Sequence, residues 1–300
     1  MSDKPTLGLS TPYRWLAEAL ALCRAHIGLF LFAAAAILLV SLLPAILGRV
    51  AASYLPQTLI VQLVVYALFS LLILPPLTGG FYRLARATQQ GRPVEPRQLF
   101  EVFEDGAAAR RMVQTNLVFF FILLLGVAMP VAAIGGEPLA AYLRELSTPQ
   151  PGAQTLPTMP EGTAALLSVA LLLAVLINTA KELAMCQASL SERSPFAAVG
   201  DGFRIAFSHA ASFLLFYVPV AILAFIGFLI FAMVAVLLGA ALSLISPALT
   251  YLLIVPVAVA VGLAYYALVF AFFYRAWQDT LGGDALVPPS QAPASHQIEL

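Results

Sequence analysis

Apolar residues along this chain come in long unbroken runs rather than at the spacing of a surface helix or strand. Four of them are close to a bilayer's thickness: residues 27–47, 59–80, 116–135 and 163–180. Crossing about 30 Å of hydrocarbon at about 1.5 Å per residue takes about 20 residues, so each run predicts one spanning helix. A fifth run carries no charged residue between Arg204 and Arg275 and is too long for one helix. Ser243, Ser246 and Pro247 interrupt it, which predicts two further spans, 211–241 and 248–275. Splitting it again at Pro219 or Pro256 would give a seventh span and leave almost nothing for loops. Proline is tolerated as a kink inside membrane helices, so six is the expected number. The expected fold is all-α, a polytopic membrane helix bundle over residues 11–283 with its six spans paired as three hairpins.

The polar segments between runs have their own pattern. Thr11-Pro12 and Ser194-Pro195 each supply a helix cap and a first-turn proline, followed by a mixed helix of about 15 residues that leads into a span. The two segments align without gaps: Leu16 meets Val199, Glu18 meets Asp201, His26 meets His209, and Phe30-Leu31 meets Phe213-Leu214. Glu95-Pro96 opens a third such segment through Leu99, Phe100 and Phe103. Span exits also match, Phe81-Tyr82-Arg83 with Thr88 and Gly91 against Phe273-Tyr274-Arg275 with Thr280 and Gly283. An internal repeat of three units follows, each an amphipathic helix on the cytosolic face and then a hairpin. Aromatic residues beside Arg at a span's end are otherwise ordinary interfacial anchors. Residues 136–162 form the largest outer loop, proline-rich with a short helix around 139–146. Gly79-Gly80 and Gly135-Gly136 are expected to end helices. Residues 1–10 form a tail, and 284–300, with three prolines, a disordered one.

Composition agrees and excludes other classes. Hydrophobic residues make up 61% and charged ones 10%, against about 25% charged in soluble domains; mean hydropathy is +0.94. Net charge is zero, so no overall field points to nucleic acid. Its distribution is informative. Thirteen basic residues lie on one side of the predicted spans and only Arg49 and Arg144 on the other. Positive charge stays in cytosolic loops, which places both termini in the cytosol. The preference for Arg over Lys suggests a GC-rich bacterial genome and hence a bacterial inner membrane. The first run is too long for a signal peptide, so an uncleaved first helix is expected. Cys23 and Cys186 are read as small apolar filler.

Ionisable residues within spans would point to function, and there are almost none. Lys181 and Glu182 fall at the cytosolic end of the fourth span, where snorkelling accounts for them. Asn178, one turn earlier, is the most polar residue well inside a span; an inter-helix hydrogen bond is its ordinary role and a substrate contact the sharper one. Gln62 is weighed the same way. His26 and His209 at the mouths of two spans could bind metal or sense pH, yet no spacing of Cys, His or Asp completes a site. His296 falls in the tail. Glu101, Glu104 and Asp105 beside Arg110 and Arg111 read as a solvated charged face. No catalytic residue, cofactor or metal site is expected.

Leu74-Pro75-Pro76-Leu77 through Gly80, then Arg83 to Ala87, Gly91, Pro93-Val94 and Leu99-Phe100, resemble a family of six-pass bacterial inner-membrane proteins of unassigned activity first named from Burkholderia. Ser194-Pro195, Ala198 and Phe203 resemble its second characteristic stretch. Over residues 12–280 the layout is also similar to YciC proteins and to the membrane domain of some glycerophosphodiester phosphodiesterases. The resemblance implies an inner-membrane protein and carries over no catalytic residue; no phosphodiesterase catalytic domain is expected. The leading expectation is a non-enzymatic assembly or envelope-maintenance factor with partners in the lipid bilayer and at the cytosolic-face helices. The alternative is a small-molecule or lipid transporter built from repeats. A polar cavity reaching the bilayer midplane would favour transport, and a filled apolar bundle would oppose it.

Overall fold

The computed structural model describes residues 8–52, 58–147, 158–243 and 246–282, and among them the backbone is helical almost throughout. The mixed segment α1 (Thr11–Ala25) starts with Pro12 in its first turn, and the chain leaves helical geometry at His26 before α2 (Ile27–Ala52). A second rod joins α3 (Thr58–Leu68) to α4 (Leu74–Gln89) through a π turn at Phe69–Ile73. A 3₁₀ turn (Pro96–Phe100) and α5 (Glu101–Glu104) lead to a third rod, α6 (Gly106–Leu123) and α7 (Met129–Ser147), joined by a π turn at Leu124–Ala128. Then follow α8 (Thr163–Leu190), α9 (Pro195–Ser208), α10 (Ala210–Ser243) and α11 (Pro247–Thr280). Among the described residues six helical stretches are long and apolar enough to cross a membrane, so the chain is a multi-pass helical membrane protein.

Both π turns sit just ahead of prolines, Pro75-Pro76 and Pro130. A proline has no N–H to return to the carbonyl four residues back, so the ladder slips by one residue: Leu74 N–H bonds to Phe69 O and Met129 N–H to Leu124 O. The helices outrun the predicted spans at one end. The second does not stop at Gly79-Gly80 but continues to Gln89, because these glycines are packing positions. A Cβ on Gly80 would stand 2.0 Å from the Leu99 carbonyl oxygen, and one on Gly79 would meet the Met112 side chain at 2.2 Å. Gly136 does break its helix, at φ +52, and helix resumes as far as Ser147 in what was expected to be an outer loop. The third mixed segment is shorter than its two counterparts, a 3₁₀ turn plus one α turn, closed by Asp105, whose side chain caps α6 through Ala108 N–H. The remainder of the outer loop (148–157), Gly283 and the C-terminal tail lie outside the described residues.

The described basic residues other than Arg49 and Arg144 gather at one end of the bundle, and the core is at that end too. Buried positions of α8 run from Leu176 to Ser189, apart from Thr163, and those of α11 from Ala267 to Thr280. Three helices meet there in a closed ring of polar contacts. Tyr82 of α4 donates to Glu182 of α8 (2.7 Å), Trp277 of α11 donates to Gln187 of α8 (2.6 Å), and Tyr274 of α11 donates to Gln89 of α4. Around the ring each mixed segment lies on a helix from earlier or later in the chain: α1 on α11, Pro96–Glu104 on α4, and α9 on α8. Trp15 fixes the first of these through its indole N–H to Asp279 (2.8 Å), and Gly202 the last, since a Cβ there would come 2.3 Å from the Ala180 carbonyl oxygen. Phe81, Tyr82, Phe273 and Tyr274, expected as interfacial anchors, are buried core residues.

Beyond this end protein cover thins. In the most apolar window of α10 no residue is buried within the protein, and in those of α11 and of Gly106–Leu146 only 6% are. Such a surface belongs in hydrocarbon, where apolar side chains need no protein partner.

Candidate functional site

Beside this packed layer, a cavity of about 580 Å³ opens among α2, α4, α6, α8 and α11. Its polar wall comes from α8, where Asn178, Lys181, Glu182 and Met185 recur at helical spacing and so share one stripe. Lys181 Nζ lies 3.3 Å from Glu182 Oε1, and the second carboxylate oxygen accepts the Tyr82 hydroxyl at 2.7 Å. One carboxylate thus balances an ammonium and a buried phenol, in surroundings where an unpaired charge would be costly. The Lys181 side chain remains 29% exposed, with Glu182 as its ion-pair partner among the described residues. An ammonium has three N–H donors, so this wall still has donors to offer a ligand.

The facing wall is built by the first π turn. Once Leu74 N–H has moved to Phe69 O, the Ser70 carbonyl loses its usual helical donor, and Asn116 Nδ2 takes it at 3.1 Å. Thr78, Ser41, Tyr265 and Tyr266 add hydroxyls, and the rest of the lining is aliphatic and phenyl. Asn116 lies ten residues into the α6 rod, about 15 Å along it from the basic end. The cavity therefore begins under the packed layer and reaches into the apolar zone.

A second cavity, about 510 Å³, lies between α8, α10 and α11 and shares Asn178, Tyr265, Val269 and Phe273 with the first. Asn178 is exposed within this common wall. Thr179 and the Tyr217 hydroxyl, 3.1 Å apart, join α8 to α10 beside it. The arrangement can hold a molecule with a polar, preferentially anionic or hydrogen-bonding head and an apolar body.

The structure brings Asn178 and Lys181 together and keeps the histidines apart from them. His26 and His209 hold the same place in their segments, each in non-helical geometry between a mixed helix and a span, each accepting the N–H four residues on, from Phe30 (3.2 Å) and Phe213 (3.1 Å). Partial burial holds His209 below the ordinary imidazole range, which favours its neutral form. His26 is exposed beside Arg92 and Pro93. Among the described residues no group of three His, Cys, Asp or Glu could hold a metal ion. Cys23, its thiol pushed up to about 11 by burial, points at the Ala267 carbonyl and acts as filler. The Gln62 side chain lies outside what the structure describes.

Tyr82, Asn116 and Ser70 were not legible as site residues. Tyr82 carried one available signal, since Phe81, Leu84, Ala85 and Thr88 continue a buried helical face past Gly80. Asn116 stands at the edge of an apolar run and looks like a boundary residue. Compared with known proteins, the chain matches no family model, no curated protein and no solved structure, so the chemistry of the site rests on its own residues.

Proposed function

We propose that this chain is a non-enzymatic bacterial inner-membrane protein, with its basic end and both termini in the cytosol, that takes an amphiphile such as a lipid from the inner leaflet into the cavity at Asn178 and Lys181. The observation carrying this reading is an ion-paired ammonium in the wall of a 580 Å³ cavity whose remaining lining is largely apolar. A filled bundle would have opposed transport or lipid handling, and two cavities, of about 580 and 510 Å³, lie between these helices instead. The orientation rests on the basic residues, which a cytosolic face retains.

Agreement between matched positions of the first and last units supports the layout. Thr88 and Thr280, matched in the sequence, are both buried and both bond back to the carbonyl four residues earlier, Leu84 and Ala276. The matched Phe30 and Phe213 are both buried, and the mixed segments pack around the α4–α8–α11 ring in cyclic order. Membership of the six-pass inner-membrane family is part of this proposal and rests on the stretches 74–100 and 194–203.

The test is lipid analysis of the full chain purified in mild detergent, against the double variant Asn178→Leu, Lys181→Met. Wild type is expected to retain defined lipids that the variant loses about tenfold, as removal of a charge-assisted contact and a hydrogen bond implies. Equal retention at equal melting temperature would overturn it. A second reading, an assembly or envelope-maintenance role through the basic-end helices, is supported by Phe196 of α9, which is 76% exposed. A protein partner lost on Phe196→Ser, with lipid retention intact, would favour that reading.

A further inference from the structure

A different recess, about 500 Å³, opens at the basic end and shares no lining residue with the amphiphile cavity. Its first wall is one stripe of α4, on which Arg83, Arg86, Ala87 and Gln90 recur at helical spacing. Gly91 then ends α4 in the left-handed region, φ +66, with its N–H on Thr88 O and the Arg92 N–H on Ala87 O, both at 3.1 Å. This reversal turns the chain back at once, and Arg92 lines the same recess. Gln98 and Glu101 form the opposite wall, and the last residues of α8, Ser189 and Leu190, complete it.

Two of the arginines have structural work. Arg83 Nε donates to Ser189 O (3.4 Å) and its Nη2 to Asp105 Oδ2 (2.7 Å), while Arg86 Nη1 donates to Leu190 O (3.1 Å). They close the end of α8, where carbonyls lack helical donors. That role does not explain Arg92, with which no carboxylate forms an ion pair among the described residues. Nor does it explain why three guanidiniums and two carboxamides line one recess with a single carboxylate, Glu101. Asp105, outside the lining, offsets Arg83.

We infer that this recess binds a phosphate-bearing anion, held by Arg86 and Arg92 with Gln90 and Gln98 as neutral donors. Guanidinium forks match phosphate oxygens in geometry, and the two capped arginines are already ordered before a ligand arrives. Basic pockets between the cytosolic ends of membrane helices are suited to anionic lipid headgroups, and a soluble phosphate carries the same chemistry.

The experiment compares the full wild-type chain with Arg92→Gln, with Lys181→Met and with the two combined. Arg92 is exposed and outside the helices, so its replacement leaves the packing intact. One arm measures lipid retention by native mass spectrometry from nanodiscs of phosphatidylglycerol or of phosphatidylcholine. The other measures melting temperature with added inorganic phosphate or pyrophosphate. For a headgroup site, phosphatidylglycerol is retained over phosphatidylcholine, and Arg92→Gln weakens this preference about fivefold in the wild-type and in the Lys181→Met background alike, the second background removing the amphiphile cavity's own share. For a soluble ligand, phosphate or pyrophosphate raises the melting temperature of wild type and Lys181→Met but not of Arg92→Gln. If neither response depends on Arg92, in a variant that melts with wild type, the site is overturned. Loss through Lys181→Met alone would also overturn it, and would leave the amphiphile cavity standing.

Discussion

The two ends of this bundle solve the same problem with different partners. At the basic end Trp15, Tyr82, Phe81, Tyr274, Phe119 and Phe213 are buried against protein, and their polar atoms reach across helices. At the far end α10 presents Ile222, Leu223, Phe225, Phe228, Val236 and Leu237 with no protein cover. In water that face would drive collapse; in a bilayer, acyl chains are as good a neighbour as leucine. Association there needs close backbone approach or polar contacts, and both are concentrated at the basic end. The packed layer therefore holds the six spans together, and the cavity lies where its hold ends.

The comparison makes glycine substitution its sharpest test. Gly80→Ala and Gly202→Ala place a methyl against backbone oxygens at 2.0 and 2.3 Å, which no side-chain rotation relieves. Each is expected to cost about 3 kcal/mol, and to lower the melting temperature of the detergent-solubilised chain clearly. Gly227→Ala and Gly262→Ala, on the thinly covered parts of α10 and α11, meet nothing within 4 Å and should melt with wild type. Equal loss at both ends would break the distinction.

Next in size is Tyr82→Phe. It leaves a Glu182 oxygen without its donor inside the packed layer, an expected cost of about 1–3 kcal/mol in unfolding measured in mixed micelles. It should also weaken lipid retention, because Glu182 places Lys181. The same loss of stability with lipid retention unchanged would separate the core from the cavity.

The smallest effect concerns pH. The Arg83 guanidinium, with help from the Ala108 N–H, holds the Asp105 carboxyl below its ordinary value. A depressed carboxylate stabilises the fold above its unfolded value of about 3.9, and that contribution disappears as pH falls through the folded value. Asp105→Asn should flatten the acid side of the melting-temperature profile below about pH 4. The Asp105 side chain is 42% exposed, so solvent screening keeps the change small.

Much of this fold is legible in the chain itself, and the reason is physical. Hydrocarbon thickness sets run length, so the spans and the break at 243–247 can be read without tertiary information. Ser/Thr-Pro pairs set the starts of α1 and α9, because capping is local. Other features resist a local reading. Gly79-Gly80 look like a helix end until Met112 and the Leu99 carbonyl fill the space their missing side chains leave. Phe81-Tyr82 resemble an interfacial anchor, since aromatic residues near Arg have the same signature whether they face lipid headgroups or a core. Of the expected polar contacts, Asn178 and Lys181 share a stripe by helical spacing alone. Their facing partner Asn116 is 62 residues away in the chain, and Tyr82 nearly 100.

By itself, then, the sequence determined that this is a six-span membrane chain with its positive charge on one side, because bilayer thickness and charge placement act on each segment independently. Only the tertiary structure decided that α4, α8 and α11 close into a ring, that protein cover thins beyond it, and that Lys181 lines a cavity. Those outcomes depend on close approaches between segments far apart in the chain, which no single segment encodes.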